Sequence, residues 1–254
     1  MKTLMTAAAL AALATTATAH YGMIIPSDNM VSQEDGRSID LTLSFSHPFE
    51  GIGMVLERPE AFTVTHGGKT TDLLDRLQDT QVMDHAGFAA EYRLERPGTH
   101  VFALTPKPYW EPEEDAFITH FTKTYVSAYG DDEGWDAELG LKTEIVPLSK
   151  PFALWEGNLF QGIVKLDGEP VPYAEVEVEY YNEDGSAVAP SDLMITQTIK
   201  ADADGVFSYA VPTAGWWGFA ALNTAAEPMQ HDGEDKAHEL GAVIWVHFEP
   251  WGAQ

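Results

Sequence analysis

Apolar and polar residues alternate strictly in short runs along this chain, and Gly, Pro, Asn or Asp cuts each run after about ten residues. A period of two lines one face of an extended strand, whereas a helix needs apolar residues to recur every three to four positions. In IDLTLSFSH, Ile39, Leu41, Leu43, Phe45 and His47 share one face. AFTVTHGG reads as a strand entering a Gly-Gly turn. EYRLERPGTHVFALTP reads as two strands around Pro97-Gly98, and FITHFTKTYVSAYG as one long strand. TDLLDRLQ allows a single helical turn. Long helical periodicity is missing from the rest of the chain, so the pattern predicts an all-β fold.

A second pattern begins near residue 150. There GIVKLDGEPVPYAEVEVEYYNEDG gives a strand, an Asp-Gly hairpin turn, a Pro-flanked bend and an alternating strand. In that strand Val176, Val178 and Tyr180 share one face, and Glu175, Glu177 and Glu179 share the other. ADADGVFSYAVPTAGWW adds a turn and further strands. These two stretches resemble the transthyretin-like or carboxypeptidase-regulatory-like sandwich modules over about residues 158–222, which implies a scaffold or binding domain without its own chemistry. The expected architecture is two β-sandwich domains in tandem, immunoglobulin-like and transthyretin-like, over residues 20–148 and 149–254. PLSKP marks the joint.

Residues 1–19 read as a cleaved secretory signal. Lys2 supplies the charge, Leu4 to Ala14 the short apolar stretch, and Ala17 and Ala19 the small residues of the cleavage site. The apolar stretch is far shorter than the ~20 residues of a membrane span. A bacterial periplasmic location follows. Any membrane association after cleavage is expected to come through a partner rather than by insertion, since the sequence ends at WGAQ without an anchor. Cleavage after Ala19 makes His20 the first residue of the mature chain, with its α-amine and Nδ1 close enough to form one chelate ring on a metal. Gly22 stands third, so the clamp that needs a histidine at that position is absent.

The chain has no cysteine, which excludes disulfides, thiolate metal sites and thiol nucleophiles. Its formal charge of −26, or −27 once Lys2 leaves, repels nucleic acid and anionic lipid and attracts cations. No serine-hydrolase elbow, zincin helix, phosphate loop or dinucleotide fingerprint is present. In so acidic a chain a carboxylate pair such as Glu113 and Glu114 carries little information. Imidazole is then the strongest borderline-soft donor available. Of nine histidines, six lie in the first half: His20, His47, His66, His85, His100 and His120. His47 ends an apolar strand face before Pro48, where it either packs in the core or reaches a site at the rim. His66 precedes Gly67-Gly68, His85 sits in VMDHAGF, and His120 falls in step with Ile118. ADADG has only the start of a calcium loop. PYWEPEEDAF and AGWWGF read as a sugar platform or as packing. Met23, Met30, Met54 and Met83 read as copper(I) ligands or as core filler.

AHYGMIIPSDNMV, LTLSFSHPFEGIGM, THGGKTTDLL, KPYWEPEEDAFITHFTKTYV, GDDEGWDAELGLKTEIVPL and AGWWGFAALN resemble the periplasmic accessory component of energy-coupling-factor-type nickel/cobalt transporters over about residues 20–251. The resemblance implies a Ni(II)- or Co(II)-binding protein that delivers its ion to a membrane transporter. Its family histidines match His20, His47, His66 and His120, and His85 less closely. Two other readings stay open. One is a Cu(II)-dependent oxidative enzyme holding its metal between an N-terminal histidine and a second one; the other is a structural or adhesive sandwich.

Overall fold

The computed structural model describes residues 20–252, so the expected signal over residues 1–19 lies outside the described residues. The described chain is all-β apart from two single 3₁₀ turns, Leu74–Arg76 within the expected helical turn and Asp192–Met194. No helix among the described residues is long and apolar enough to cross a membrane.

Three sheets form two sandwich cores. A five-stranded sheet is built on Tyr21–Pro26, Ser38–His47 and His85–Arg93, and a four-stranded sheet on Thr143–Pro147 and Leu159–Leu166. Between them runs a twelve-stranded sheet to which both halves of the sequence contribute. Its centre is the parallel pairing of Ala116–Ala128 with the C-terminal strand Glu234–Glu249, in register from Ala116↔Ala237 to Thr124↔Trp245.

The shared sheet is apolar on both faces because each face covers a different core. Phe102, Leu104, Ile118 and Val126 pack against Leu41, Leu43 and Phe88 of the first sheet. Val101, Tyr125, Ile244 and Val246 point the other way, into the second core with Phe160 and Phe207. A strand buried on both faces reads as a continuous apolar run instead of an alternating one. GTHVFALT and GAVIWVHFE are such runs.

A buried ion pair ties the shared sheet to the four-stranded sheet. Lys123, on the strand Ala116–Ala128, donates from Nζ to Glu144 Oε2 at 2.7 Å. Glu144 also accepts from the backbone N–H groups of Leu139 and Gly140, at 3.2 and 2.8 Å. Burial works against the Lys123 charge, but Tyr125 and Glu144 outweigh it and raise its pKa.

Candidate metal centre

Strand pairing brings His20 and His47 together. Tyr21–Pro26 runs antiparallel to Ser38–His47, with Tyr21 opposite Ser46 and Gly22 opposite Phe45. One step further along this register sets His20 across from His47, and their ring centroids lie 4.6 Å apart. His120 arrives from the shared sheet, on the face it has in common with Ile118. Phe45 joins the two positions, stacking on His20 at 5.7 Å and meeting His120 edge-on at 5.7 Å.

Carboxylates surround these rings. His20 Nε2 is 3.0 Å from Glu111 Oε2, and its Nδ1 is 3.7 Å from Glu114 Oε1. His120 Nδ1 accepts from the Gly22 N–H at 3.4 Å, so its Nε2 carries the proton donated to Glu239 Oε1 at 3.2 Å. The carboxylates orient both rings; the second nitrogen of His120 is taken by the Gly22 N–H, so His120 meets a ligand by exchanging one of these two bonds. Burial, followed by His47 and His120, pushes the His20 pKa down to about 4, with Glu111 acting in the opposite direction. Its ring is therefore neutral at pH 7, the form that binds metal.

The second half of the chain holds this arrangement in place. Glu239 and Gly241 lie on the C-terminal strand, and Gly241 pairs with His120. The His120 ring rests on the bare Cα of Gly241: a Cβ there would stand 2.2 Å from His120 Cδ2. The turn after His47 is clamped by Glu179, whose Oε1 accepts the Phe49 N–H at 3.0 Å. Asn182 adds bonds from its N–H to Pro48 O at 3.2 Å and from Nδ2 to Phe49 O at 3.1 Å. Register places Glu175, Glu177 and Glu179 on the face they share with His120 and Glu239. The alternating glutamates thus form an acidic flank to the histidines.

Burial, then Glu239 and Glu179, holds Glu177 up to about 7, and burial holds Glu179 up to about 7 as well. A carboxyl whose pKa is higher folded than unfolded binds its proton more tightly in the native state. Its contribution to stability therefore falls as pH rises from about 4.5 to about 7. Replacing Glu177 by Gln should raise the free energy of unfolding in urea at pH 8 by on the order of 1 kcal/mol, and leave it unchanged at pH 5. An equal shift at both pH values would contradict the placement.

Two expected members do not join this cluster. His66 stacks face to face on His100, with ring centroids 4.1 Å apart, and its Nδ1 bonds Thr99 O at 3.1 Å. His100 pairs with Val126, six residues along the strand from His120, or roughly 20 Å at the usual strand rise. The Gly-Gly turn carries His66 to that far end. His85 is exposed beside its own hairpin turn, with Nδ1 3.0 Å from Met83 O. His231 stacks on Trp110, and His238 bonds Thr119. Asp202 of ADADG accepts the N–H groups of Asp204 and Val206 and closes a turn.

Among the described residues, no three or more His, Asp or Glu side chains already stand in the tight array that encloses an ion. The imidazole Nε2 atoms of His20 and His120 are engaged by Glu111 and Glu239, and His120 Nδ1 by the Gly22 N–H, so an ion would draw on His20 Nδ1 and a freed His20 amine and would recruit His120 by displacing one of its partners. That donor set suits a borderline ion.

A family model described as a domain of unknown function, DUF4198, matches residues 17–225. The chain belongs to the DUF4198 family. This membership carries no function with it, and the resemblance to nickel/cobalt transporter components has no counterpart in the matches. No curated protein matches the chain. Among solved structures, the chain is similar to the D0-D1 domain of intimin, at 12% identity and a TM-score of 0.26, covering 91% of this chain and 100% of that one. It is similar to the fibronectin(III)-like modules of Clostridium thermocellum CbhA, at 8% identity and a TM-score of 0.22, covering 91% and 98%. It is also similar to the Yersinia pseudotuberculosis adhesin InvE, at 11% identity and a TM-score of 0.26, covering 88% of this chain and 58% of that one.

Proposed function

We propose that this DUF4198 protein captures a divalent transition-metal ion, Ni(II) or Co(II), after export to the periplasm, and passes it to a membrane transporter. The observation that carries the reading is the convergence of His20, His47 and His120 at the first residue after the expected cleavage site, with Glu111 and Glu239 orienting two of the rings. Neutral imidazole and amine nitrogens are good donors for these ions, and the flanking glutamates raise the local cation concentration. The same donors hold Cu(II) more tightly than Ni(II). Selection of nickel then rests on geometry and on which ion is supplied. The second half of the chain supports the site by holding His120 on Gly241 and the His47 turn on Glu179.

Calorimetric titration of the mature protein, starting at His20, should show one Ni(II) per chain. His47→Ala and His120→Ala should each weaken binding at least tenfold. Gly241→Ala, which removes no donor, should weaken it comparably by displacing the His120 ring. No binding to the mature protein, with no thermal shift by Ni(II), Co(II), Cu(II) or Zn(II), would overturn the proposal and leave a structural sandwich.

A further inference from the structure

A cavity of about 320 Å³ opens directly beside the imidazoles. Phe45, Leu104, Tyr109, Trp110 and Phe117 wall it, and the His120 ring stands at its inner end. Phe45 is common to both compartments: it packs against Tyr109 at 5.2 Å on the cavity side and against His20 on the other. Val55 and Lys107, both about half exposed, mark its solvent edge.

A hydrated ion has no use for such a chamber. Its water shell gains nothing from aromatic walls, and removing that shell against them is costly. The volume falls at the small end of pockets that enclose organic ligands, roughly 300–1,000 Å³, and the lining is of the same kind, mostly apolar with a few polar groups. Lys107 and Glu57 pair with each other at the solvent edge, so the polar side chain on the buried side is His120, which also belongs to the cluster proposed to hold the metal. One occupant could therefore touch the walls and the ion together.

We propose that the protein takes its metal already held by a small organic chelator, whose ring-bearing apolar body fills this cavity while the ion meets His120 and the mature N-terminus. The proposal rests on the metal reading above. The chelator class is a bidentate or tridentate nitrogen or oxygen donor about the size of an aromatic amino acid. Such a ligand leaves coordination positions open for protein nitrogens.

The test compares Ni(II) alone, 2,2′-bipyridine alone and their one-to-one complex, by calorimetry and by tryptophan fluorescence in the mature protein, with Trp110→Phe isolating the contribution of Trp110 among the seven tryptophans. The complex should bind at least tenfold more tightly than Ni(II) alone and should quench Trp110. Val55→Trp, at the half-exposed rim, should cancel that gain and leave the affinity for Ni(II) alone unchanged; Lys107→Trp plugs a second rim position if the first variant folds poorly. A complex that binds no tighter than Ni(II), or that keeps its advantage in the plugged variants, overturns the chelate proposal while the metal site stands. Failure of both Ni(II) and the complex to bind overturns both.

Discussion

Replacing Lys123 by Ala should destabilise the protein by about 3–5 kcal/mol, because it leaves the Glu144 carboxylate buried without its counter-charge. For a chain of this size that corresponds to a melting temperature lower by roughly 10 °C. The pair is almost fully enclosed, with side-chain exposures of 1% and 4%, so solvent cannot take over the missing interaction. Glu144→Gln should cost a comparable amount: Leu139 and Gly140 donate to different carboxylate oxygens, so the amide keeps one of those acceptors, and Lys123 becomes the unpaired buried charge. The double replacement Lys123→Met with Glu144→Leu should recover only part of the loss: it removes both charges but leaves those two N–H groups without an acceptor. Equilibrium unfolding of the three variants gives the order directly. A Lys123→Ala variant within 1 kcal/mol of the wild type would show that the pair does not hold the two sheets together.

This pair also explains a limit of the sequence pattern. Alternation at Leu41, Leu43 and Phe45, and at Val176 and Val178, is a local signal and identifies the strands and their buried faces. The joining of the halves into one sheet is not local. Ala116–Ala128 and Glu234–Glu249 pair in parallel across more than a hundred residues, and parallel pairing needs no hairpin turn to announce it. Its only trace is that GTHVFALT and GAVIWVHFE are apolar on successive residues, which short runs share with other buried segments.

The candidate site divides in the same way. His20, His47 and His120 stand out because imidazoles are few and each occupies a telling position: an expected cleavage junction, a strand end before proline, a core-facing register. His66 and His85 carry the same residue type without the register, and turns take them elsewhere. The carboxylates were hidden by number. With 40 acidic residues, Glu111, Glu114 and Glu239 look like solvated surface until the fold places them around the rings. One signal was available: the run Glu175, Glu177, Glu179 opposite Val176 and Val178 marks a strand whose polar face need not be fully wet. Glu179 is in fact only 1% exposed.

Placing a single Ala before His20 in the mature protein should lower its Ni(II) affinity at least a hundredfold. The added peptide bond converts the His20 amine, which titrates near pH 8, into an amide and moves the free α-amine one residue outward, away from the position where it closes a ring with the His20 imidazole. It leaves every side chain around His20 unchanged, so the Glu111 contact at 3.0 Å and the His47 contact at 4.6 Å should persist. The extended and mature proteins should therefore unfold at the same temperature without metal and diverge only when Ni(II) is present, because only the native state of the mature form gains binding free energy. The pH dependence should separate them too. In the mature form, affinity should rise with pH toward 8, as the amine gives up its proton to the metal. In the extended form that rise should be missing, since the His20 ring is already neutral well below pH 7. Equal affinity of the two forms would assign the ion to side chains alone. A loss confined to the extended form would mean that the precursor, with residue 19 still attached, is a poor binder and that cleavage creates the ligand.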